Sequence, residues 1–299
     1  MTLRRLGLVL GLVLAGCGGK PADEGPPPDN RLEQANRAGT RALSLNQTKE
    51  AIKQYRAALA VAYERDDAAA IGDVGYNLAV AQLRAGAAKD AAGTAREVRA
   101  ELARRRQAPP AELILVQAAA AYRLGAAEEA MAHAQDVLTR SPLPPETATR
   151  AWYIRGAVSA DRGDAQGLAQ AMAAVPPSTQ PDQEADRHEL AGRAAMLSGD
   201  AARAASAFEQ AADQRRLALD YRGMARALSF AGDAVLRQGR TEEAAVLFLR
   251  AGRSALLQGD DAAGRTLLDR AQSLARQAGA ADVSAEVDRV RKAAAASKS

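Results

Sequence analysis

Turn signals recur at a nearly constant interval along most of this chain. From about residue 31 onward, helical patterns of roughly 12 to 18 residues are separated by short turns, most of them centred on glycine. The turn anchors are Asn46, Gly86, Gly125, Gly163, Gly199, Gly239 and Gly259. The intervals between them are 40, 39, 38, 36, 40 and 20 residues. The first five intervals each accommodate two helices and the last accommodates one, which predicts a series of stacked helix pairs.

Residues at fixed distances from the anchors support this register. Seven residues before the anchors stand Gly39, Ala79, Ala118, Gly156, Gly192, Gly232 and Gly252. Nine residues after them stand Tyr55, Ala95, Ala134, Met172, Phe208, Phe248 and Leu268. Hydrophobic residues make up 47% of the chain but aromatic residues only 3%, so most of the apolar content is small or aliphatic. We expect small residues at the helix crossings, with several larger side chains filling the space beyond.

This pattern resembles the tetratricopeptide repeat over about residues 31 to 279. The family has a small residue in the first helix, glycine at the turn, and alanine, an aromatic residue and alanine along the second. The resemblance implies an all-α, right-handed α-solenoid of about six helix-turn-helix repeats with a C-terminal capping helix. Two departures are units longer than the usual length of about 34 residues and Val175-Pro176-Pro177, which should shorten one helix. Another paired-helix solenoid remains an alternative.

The N-terminus has the pattern of an export signal. Arg4 and Arg5 precede an apolar run from Leu6 to Leu14 that is too short to span a bilayer comfortably. Ala15, Gly16 and Cys17, the chain's single cysteine, follow. Leu14 to Cys17 resembles the lipobox of bacterial lipoproteins, which implies cleavage before Cys17 and lipid attachment to it. An ordinary signal peptide with an incidental cysteine is the alternative.

These features divide the chain into four parts. Residues 1–16 are predicted to be a lipoprotein signal peptide, 17–30 a lipidated cysteine and Pro/Gly-rich tether, 31–279 the repeat domain, and 280–299 a C-terminal helix and tail. Gly18 follows the cysteine where, by resemblance to the enterobacterial sorting rule, aspartate would favour the inner membrane. We therefore expect a lipid-anchored protein of the bacterial cell envelope, on the periplasmic face of the outer membrane.

The sequence offers little from which to build an enzyme. It contains no Gly-x-Ser-x-Gly, His-Glu-x-x-His, Gly-x-x-x-x-Gly-Lys or Gly-x-Gly-x-x-Gly motif. The only two histidines, His133 and His188, lie in different predicted repeats without a clustered set of carboxylates at metal-ligand spacing. A single cysteine allows neither an internal disulfide nor a thiolate metal site. We expect a protein that is not an enzyme and that needs no cofactor and no metal.

Binding is better supported, because stacked helix pairs form a superhelix with a concave surface. The tetratricopeptide resemblance implies that the first helices line this surface, at ten, six and three residues before each anchor. The candidate groove residues at these positions are Tyr76, Leu83, Leu115, Tyr122, Tyr153, Arg193 and Met196. Tyrosines there suit recognition of a helix or an extended peptide of a protein partner. The alternative is that some of the tyrosines simply cap the core between repeats.

Two other function classes compete with a scaffold. An envelope enzyme or small-ligand-binding lipoprotein would need a buried polar cluster that converges on a pocket of the concave surface. Nucleic-acid binding ranks third, because the formal charge of +4 falls to about +2 once the signal is removed. Export and the scarcity of aromatic residues also oppose it, so no nucleic-acid partner is expected.

Overall fold

The computed structural model describes residues 29–296, and these residues form fourteen α-helices with no strand. The helices are α1 Asn30–Ser44, α2 Thr48–Glu64, α3 Ala68–Arg84, α4 Ala88–Arg104, α5 Ala111–Arg123, α6 Ala127–Leu138, α7 Pro145–Asp161, α8 Ala165–Ala174, α9 Pro181–Leu197, α10 Ala201–Leu217, α11 Tyr221–Arg237, α12 Thr241–Leu257, α13 Asp261–Ala278 and α14 Ala281–Ala296. The predicted signal peptide, Cys17 and most of the tether lie outside the described residues.

Every turn anchor predicted from the sequence adopts the left-handed backbone conformation. The φ angles of the seven anchors lie between 58° at Asn46 and 81° at Gly86 and Gly199. Glycine suits this position because it has no Cβ to clash with the following carbonyl. The residue after Gly199, Asp200, donates its backbone N–H to the carbonyl of Ala195 at 2.9 Å, and its side chain caps the next helix at the N–H of Arg203. One short turn thus ends one helix and begins the next.

Each helix packs against its neighbours in the chain, and first helices also pack on one another. Thus α3 contacts α5, α5 contacts α7, and α7 contacts α9, which places the first helices side by side along one face. Six pairs, α1 to α12, are followed by α13 and α14, and α14 packs on both α12 and α13. The expectation of an all-α, tetratricopeptide-like solenoid is confirmed.

The small residues in first helices face large residues of second helices as the register predicts. A Cβ placed on Gly192 would lie 2.7 Å from two ring carbons of Phe208, and Gly39 faces the ring of Tyr55 in the same way. Gly232 with Phe248 and Gly252 with Leu268 repeat the arrangement. At these four contacts, the last of which joins α12 to α13, the missing side chain on glycine makes room for the large residue of the next helix.

The fourth pair departs from this rule. Gly156 faces Ala171 and Leu190 rather than Met172, nine residues after the anchor. The reason is that α8 ends at Ala174, as the following prolines predict, and α7 packs directly on α9. The apolar core is thinnest here, because only Leu168, Val175 and Leu190 form its buried cluster. Buried charged residues occupy the neighbouring space.

Candidate functional site

A cavity of about 610 Å³ opens on the face formed by the first helices. We call it the chamber. Its walls come from α3, α5, α7, the start of α9, the end of α10 and the start of α11. Five of the seven candidate groove residues line it: Tyr76, Leu83, Leu115, Tyr122 and Tyr153. The chamber is therefore where the sequence-predicted positions of three successive repeats come together.

The other two candidates, Arg193 and Met196, line a separate cavity of about 600 Å³. Phe208 and Phe230 form part of its wall, and the guanidinium of Arg193 lies 4.7 Å from the ring centre of Phe230. Arg193 also donates a hydrogen bond of 2.9 Å to the hydroxyl of Tyr122, a residue of the chamber wall. The candidate residues thus line two neighbouring cavities, and one side-chain contact joins the two sets.

Glu189 forms the centre of a buried ionic cluster beside the chamber. Its side chain is 0% exposed. Its Oε1 accepts hydrogen bonds from the hydroxyl of Tyr153 at 2.9 Å and from Arg193 at 3.2 Å. Its Oε2 accepts one from Arg226 at 3.2 Å and lies 3.6 Å from Arg215. One carboxylate therefore holds together residues of α7, α9, α10 and α11.

Asp186 is a second buried carboxylate in this region, one helical turn before Glu189. It pairs with Arg215 through Oδ1, and its Oδ2 lies 4.0 Å from Arg150. Burial raises the pKa of Asp186, although Arg215 and Arg150 oppose that effect. Asp186 and Arg215 both line the chamber, so the ionic cluster forms part of its wall.

Glu189 and the neighbouring tyrosines keep fixed protonation states at neutral pH. Burial alone would raise the pKa of Glu189, but the attraction of Arg226, Arg193 and Arg215 is stronger and lowers it below its usual range. Burial raises the pKa of Tyr122 to about 12, so its hydroxyl stays protonated at neutral pH. The pKa of Tyr153 is raised by burial and by Glu189. An ionised glutamate among protonated tyrosines and arginines suits fixed positioning better than proton transfer near pH 7.

The turn between α10 and α11 closes one side of the chamber. Leu217 at the end of α10 and Leu219 in the turn both line the cavity, and Leu219 has a φ of 56°, which is unusual for leucine. Just beyond the turn, the guanidinium of Arg222 lies against Gly86, where an added Cβ would approach its Nη1 to 2.7 Å. The sixth helix pair therefore touches the turn of the second pair across the inner face.

Sequence reasoning missed most of the ionic cluster. The register places Glu189 on the concave surface, whereas the structure buries it completely. One available signal was the spacing of Asp186, Glu189 and Arg193, which puts three charged residues on one face of α9. Their partners Arg215 and Arg226 lie on other helices, and no local pattern identifies them.

The histidines stand apart from this site. His188 lies 3.2 Å from Glu184, one turn earlier on α9, and His133 lies on α6. Within residues 29–296, no group of three or more His, Cys, Asp or Glu side chains is placed to hold a metal ion. Over the same residues, none of the helices combines the length and apolar character that crossing a bilayer requires.

No protein-family model matches this chain, and no curated protein matches it in sequence. A tetratricopeptide repeat protein from Parabacteroides merdae is 15% identical, covers 87% of this chain and 99% of its own, and has a TM-score of 0.47. The complex of the yeast Sti1 TPR2AB domain with pHSP90 is 16% identical, with coverage of 88% and 98% and a TM-score of 0.36. BtubC from P. vanneervenii is 17% identical, with coverage of 90% and 93% and a TM-score of 0.35. These similarities concern the fold alone.

Proposed function

We propose that this chain is a non-enzymatic scaffold or assembly factor that binds a segment of a protein partner on its inner face. The chamber is the observation that carries this proposal, because Tyr76, Tyr122 and Tyr153 are all partly exposed and line one cavity. Tyrosine offers a large apolar contact area together with a hydrogen-bonding hydroxyl, and it is enriched where binding energy concentrates. Leu115 adds an accessible apolar contact on the same wall.

The second half of the proposal is a lipid tether at Cys17, on the periplasmic face of the outer membrane. Its support is the run Leu14-Ala15-Gly16-Cys17 after an apolar segment. Two or three acyl chains make a membrane attachment stable, whereas one alone holds a protein only marginally. Pro21 and the prolines at 26–28 suit an extended spacer between the lipid and the first helix.

Partner binding is tested by replacing Tyr76 and Leu115 together with alanine in the tagged full-length chain. Neither side chain has a hydrogen bond in the ionic cluster around Glu189, so the fold should be kept. Partners are crosslinked in the native host, purified with the chain and quantified by mass spectrometry. We expect the affinity for the groove-bound partner to fall about thirtyfold and its recovery to fall with it, because truncating a central aromatic residue commonly costs about 2 kcal/mol.

The matched control for this experiment is Tyr63→Ala. Tyr63 lies on the second helix α2, is 39% exposed and does not line the chamber. Its loss should leave partner recovery unchanged. Equal recovery of the same partners with the Tyr76/Leu115 variant would show that binding does not use the chamber.

The lipid anchor is tested by metabolic labelling with an alkyne-bearing palmitate in the native host. The wild-type chain should be labelled and should fractionate with the outer membrane, because the diacylglyceryl group is attached through a thioether to the sulfur of Cys17. The Cys17→Ala chain should carry no label. An unlabelled wild type, or equal labelling of the two chains, would contradict the anchor.

A small-ligand-binding lipoprotein is the second candidate function, and one observation favours it. A buried polar cluster adjoins a cavity of about 610 Å³, within the range of roughly 300–1,000 Å³ typical of small-molecule sites. Arg222, at the start of α11, meets Gly86 just after α3 and so bounds one side of that cavity. The cavity therefore has the size of a ligand site as well as the partly exposed tyrosines of a docking surface.

A further inference from the structure

We propose that the partner segment held in the chamber is an uncharged, proline-rich stretch in the polyproline II conformation. The inference rests on the inner-face binding proposed above and names the chemistry of the bound segment. The charge balance of the chamber wall, the hydrogen bonds of its tyrosine hydroxyls and the arrangement of the first helices support it.

The chamber wall has no excess charge to attract a charged segment. Its six arginines are matched by six carboxylates, four of them in the wall itself and two that pair with Arg222 and Arg226. The arginines are Arg84, Arg123, Arg150, Arg215, Arg222 and Arg226, and the carboxylates are Glu112, Asp182, Asp186, Asp220, Glu189 and Asp260. A charged side chain would lose hydration there without gaining net attraction, so the balance favours an uncharged occupant.

The hydroxyls of Tyr76 and Tyr122 remain available as hydrogen-bond donors. The oxygen of Tyr122 accepts a hydrogen bond of 2.9 Å from Arg193. Because a guanidinium can only donate, the proton of this hydroxyl is left for another acceptor, and residues 29–296 supply none. The Tyr76 hydroxyl is not buried and has no hydrogen-bond partner in the same part of the chain. We therefore expect the occupant of the chamber to present acceptors to these two side chains.

Tyr153 contributes its ring rather than its hydroxyl. Its O–H donates to Glu189 at 2.9 Å, and the guanidinium of Arg226 lies 3.5 Å from its oxygen. These contacts hold the ring in the chamber wall. A fixed aromatic ring suits the packing of a compact apolar group, and aromatic-lined grooves are the usual binding sites of proline-rich segments.

Proline matches the available donors better than other residues do. A polyproline II segment forms no internal hydrogen bonds, so its carbonyl oxygens can accept from Tyr76 and Tyr122. A helix would already have used most of its carbonyls internally. Every residue other than proline would also bring a backbone N–H that needs an acceptor. Wall carboxylates such as Glu112 and Asp220 already accept hydrogen bonds from the chain's own groups.

The spacing of the first helices suits the same conformation. Helix α3 contacts α5 and α5 contacts α7, and packed helices lie about 8–10 Å apart. A polyproline II helix has three residues per turn and advances about 9 Å per turn. Tyr76 and Tyr153 both stand ten residues before their anchors, at the same level of α3 and α7. A segment that crosses these helices can therefore bring a proline to each helix at every third residue.

The test uses an acetylated and amidated peptide of ten prolines, with a (Gly-Ser)5 peptide of equal length as the flexible, uncharged comparison. The full-length chain is held in phosphatidylcholine nanodiscs, and binding is measured by isothermal titration calorimetry with empty nanodiscs subtracted. We expect the proline peptide to bind about tenfold more tightly, because it is already extended whereas the Gly-Ser peptide must lose chain entropy.

Three single substitutions locate the site. Tyr76→Ala should weaken binding of the proline peptide about tenfold, because it removes a ring and a donor. Tyr122→Phe keeps the ring and should weaken binding about threefold, the effect of one neutral hydrogen bond. Tyr63→Ala, on α2 and outside the chamber, should leave binding unchanged. Far-UV circular dichroism checks that each variant is folded. Tyr76 has no hydrogen bond to lose in residues 29–296, so its variant stays informative if Tyr122→Phe unfolds.

No binding of the proline peptide, equal binding of the Gly-Ser peptide, tighter binding of an uncharged alanine-based helical peptide, or equal effects of Tyr76→Ala and Tyr63→Ala would each overturn the proline-rich segment. The two proposals can fail separately. Loss of partner recovery with the Tyr76/Leu115 variant, together with no binding of the proline peptide, would reject the proline-rich segment and keep the scaffold. Binding of the proline peptide that depends on Tyr76, together with unchanged partner recovery, would keep the proline site and reject its use in partner capture.

Discussion

Replacing Glu189 with glutamine is expected to lower the free energy of unfolding by about 3–5 kcal/mol, because it removes a fully buried negative charge that contacts three guanidiniums. Glu189 is fully buried and contacts Arg193, Arg215 and Arg226. In the variant, an amide nitrogen replaces one of the oxygens that accept hydrogen bonds from arginine. Thermal unfolding followed by circular dichroism should show a midpoint about 10 °C lower.

Glu128→Gln is the control for this substitution. Glu128 makes the same type of ion pair, with Arg162, but its side chain is 85% exposed. Exposed pairs contribute roughly 0–1 kcal/mol, so the midpoint should barely change. Equal midpoints for the two variants would mean that Glu189 does not hold the helices of the ionic cluster together.

The effect of pH on the stability difference between wild type and Glu189→Gln follows from the direction in which the pKa of Glu189 is shifted. The pKa of Glu189 is lowered in the folded state from its ordinary value of 4.5, so the unfolded chain takes up the proton first as pH falls. The stabilising contribution of Glu189 is therefore fully present above about pH 4.5 and declines below it. The difference in the free energy of unfolding between wild type and Glu189→Gln should be constant near neutral pH and should become smaller in acid.

The turns and the helix register were predictable because they depend on local chemistry. Gly86 and Gly199 mark turns because a left-handed residue ends a helix and glycine adopts that conformation without strain. The pairing of Gly192 with Phe208 follows from helical periodicity, which fixes the face on which each residue lies. The same periodicity brought Tyr76, Tyr122 and Tyr153 to one cavity.

The ionic cluster and the closure of the chamber were not predictable in this way. Periodicity gives the face of a residue but not the reach of its side chain, so it could not pair Glu189 with Arg226, 37 positions away. The contact between Arg222 and Gly86 depends on how far the array winds, which is the sum of small rotations between successive repeats. Neither quantity is encoded in a short stretch of sequence.

Gly192→Ala is expected to lower the free energy of unfolding by about 1–3 kcal/mol, although alanine is the better helix former. The added methyl group would lie 2.7 Å from two ring carbons of Phe208. Phe208 is itself buried and packs against Phe230 with ring centres 5.3 Å apart, so the ring has little room to withdraw. Overlap should therefore outweigh the gain in helix propensity. Urea unfolding measured by circular dichroism gives the change in free energy.

Gly93→Ala is the matched control, and we expect it to raise the free energy of unfolding rather than lower it. Gly93 lies within α4, and an added Cβ would meet no atom within 4 Å. Only the difference in helix propensity between glycine and alanine remains, so the free energy of unfolding should rise by about 0.5–1 kcal/mol. A loss at Gly93 equal to that at Gly192 would show that the cost arises from the helix rather than from the contact with Phe208.

A double substitution isolates the contact between the two helices. Phe208→Leu alone should destabilise the protein, because it leaves part of a buried ring site empty. In the double variant with Gly192→Ala, the smaller leucine side chain makes room for the new methyl group. The double variant should therefore lose less free energy of unfolding than the two single variants lose together. Strict additivity would mean that the close approach of Gly192 to Phe208 does not determine the packing of α9 on α10. Less-than-additive loss would establish that glycine at this register position is required by the large residue nine positions after the turn.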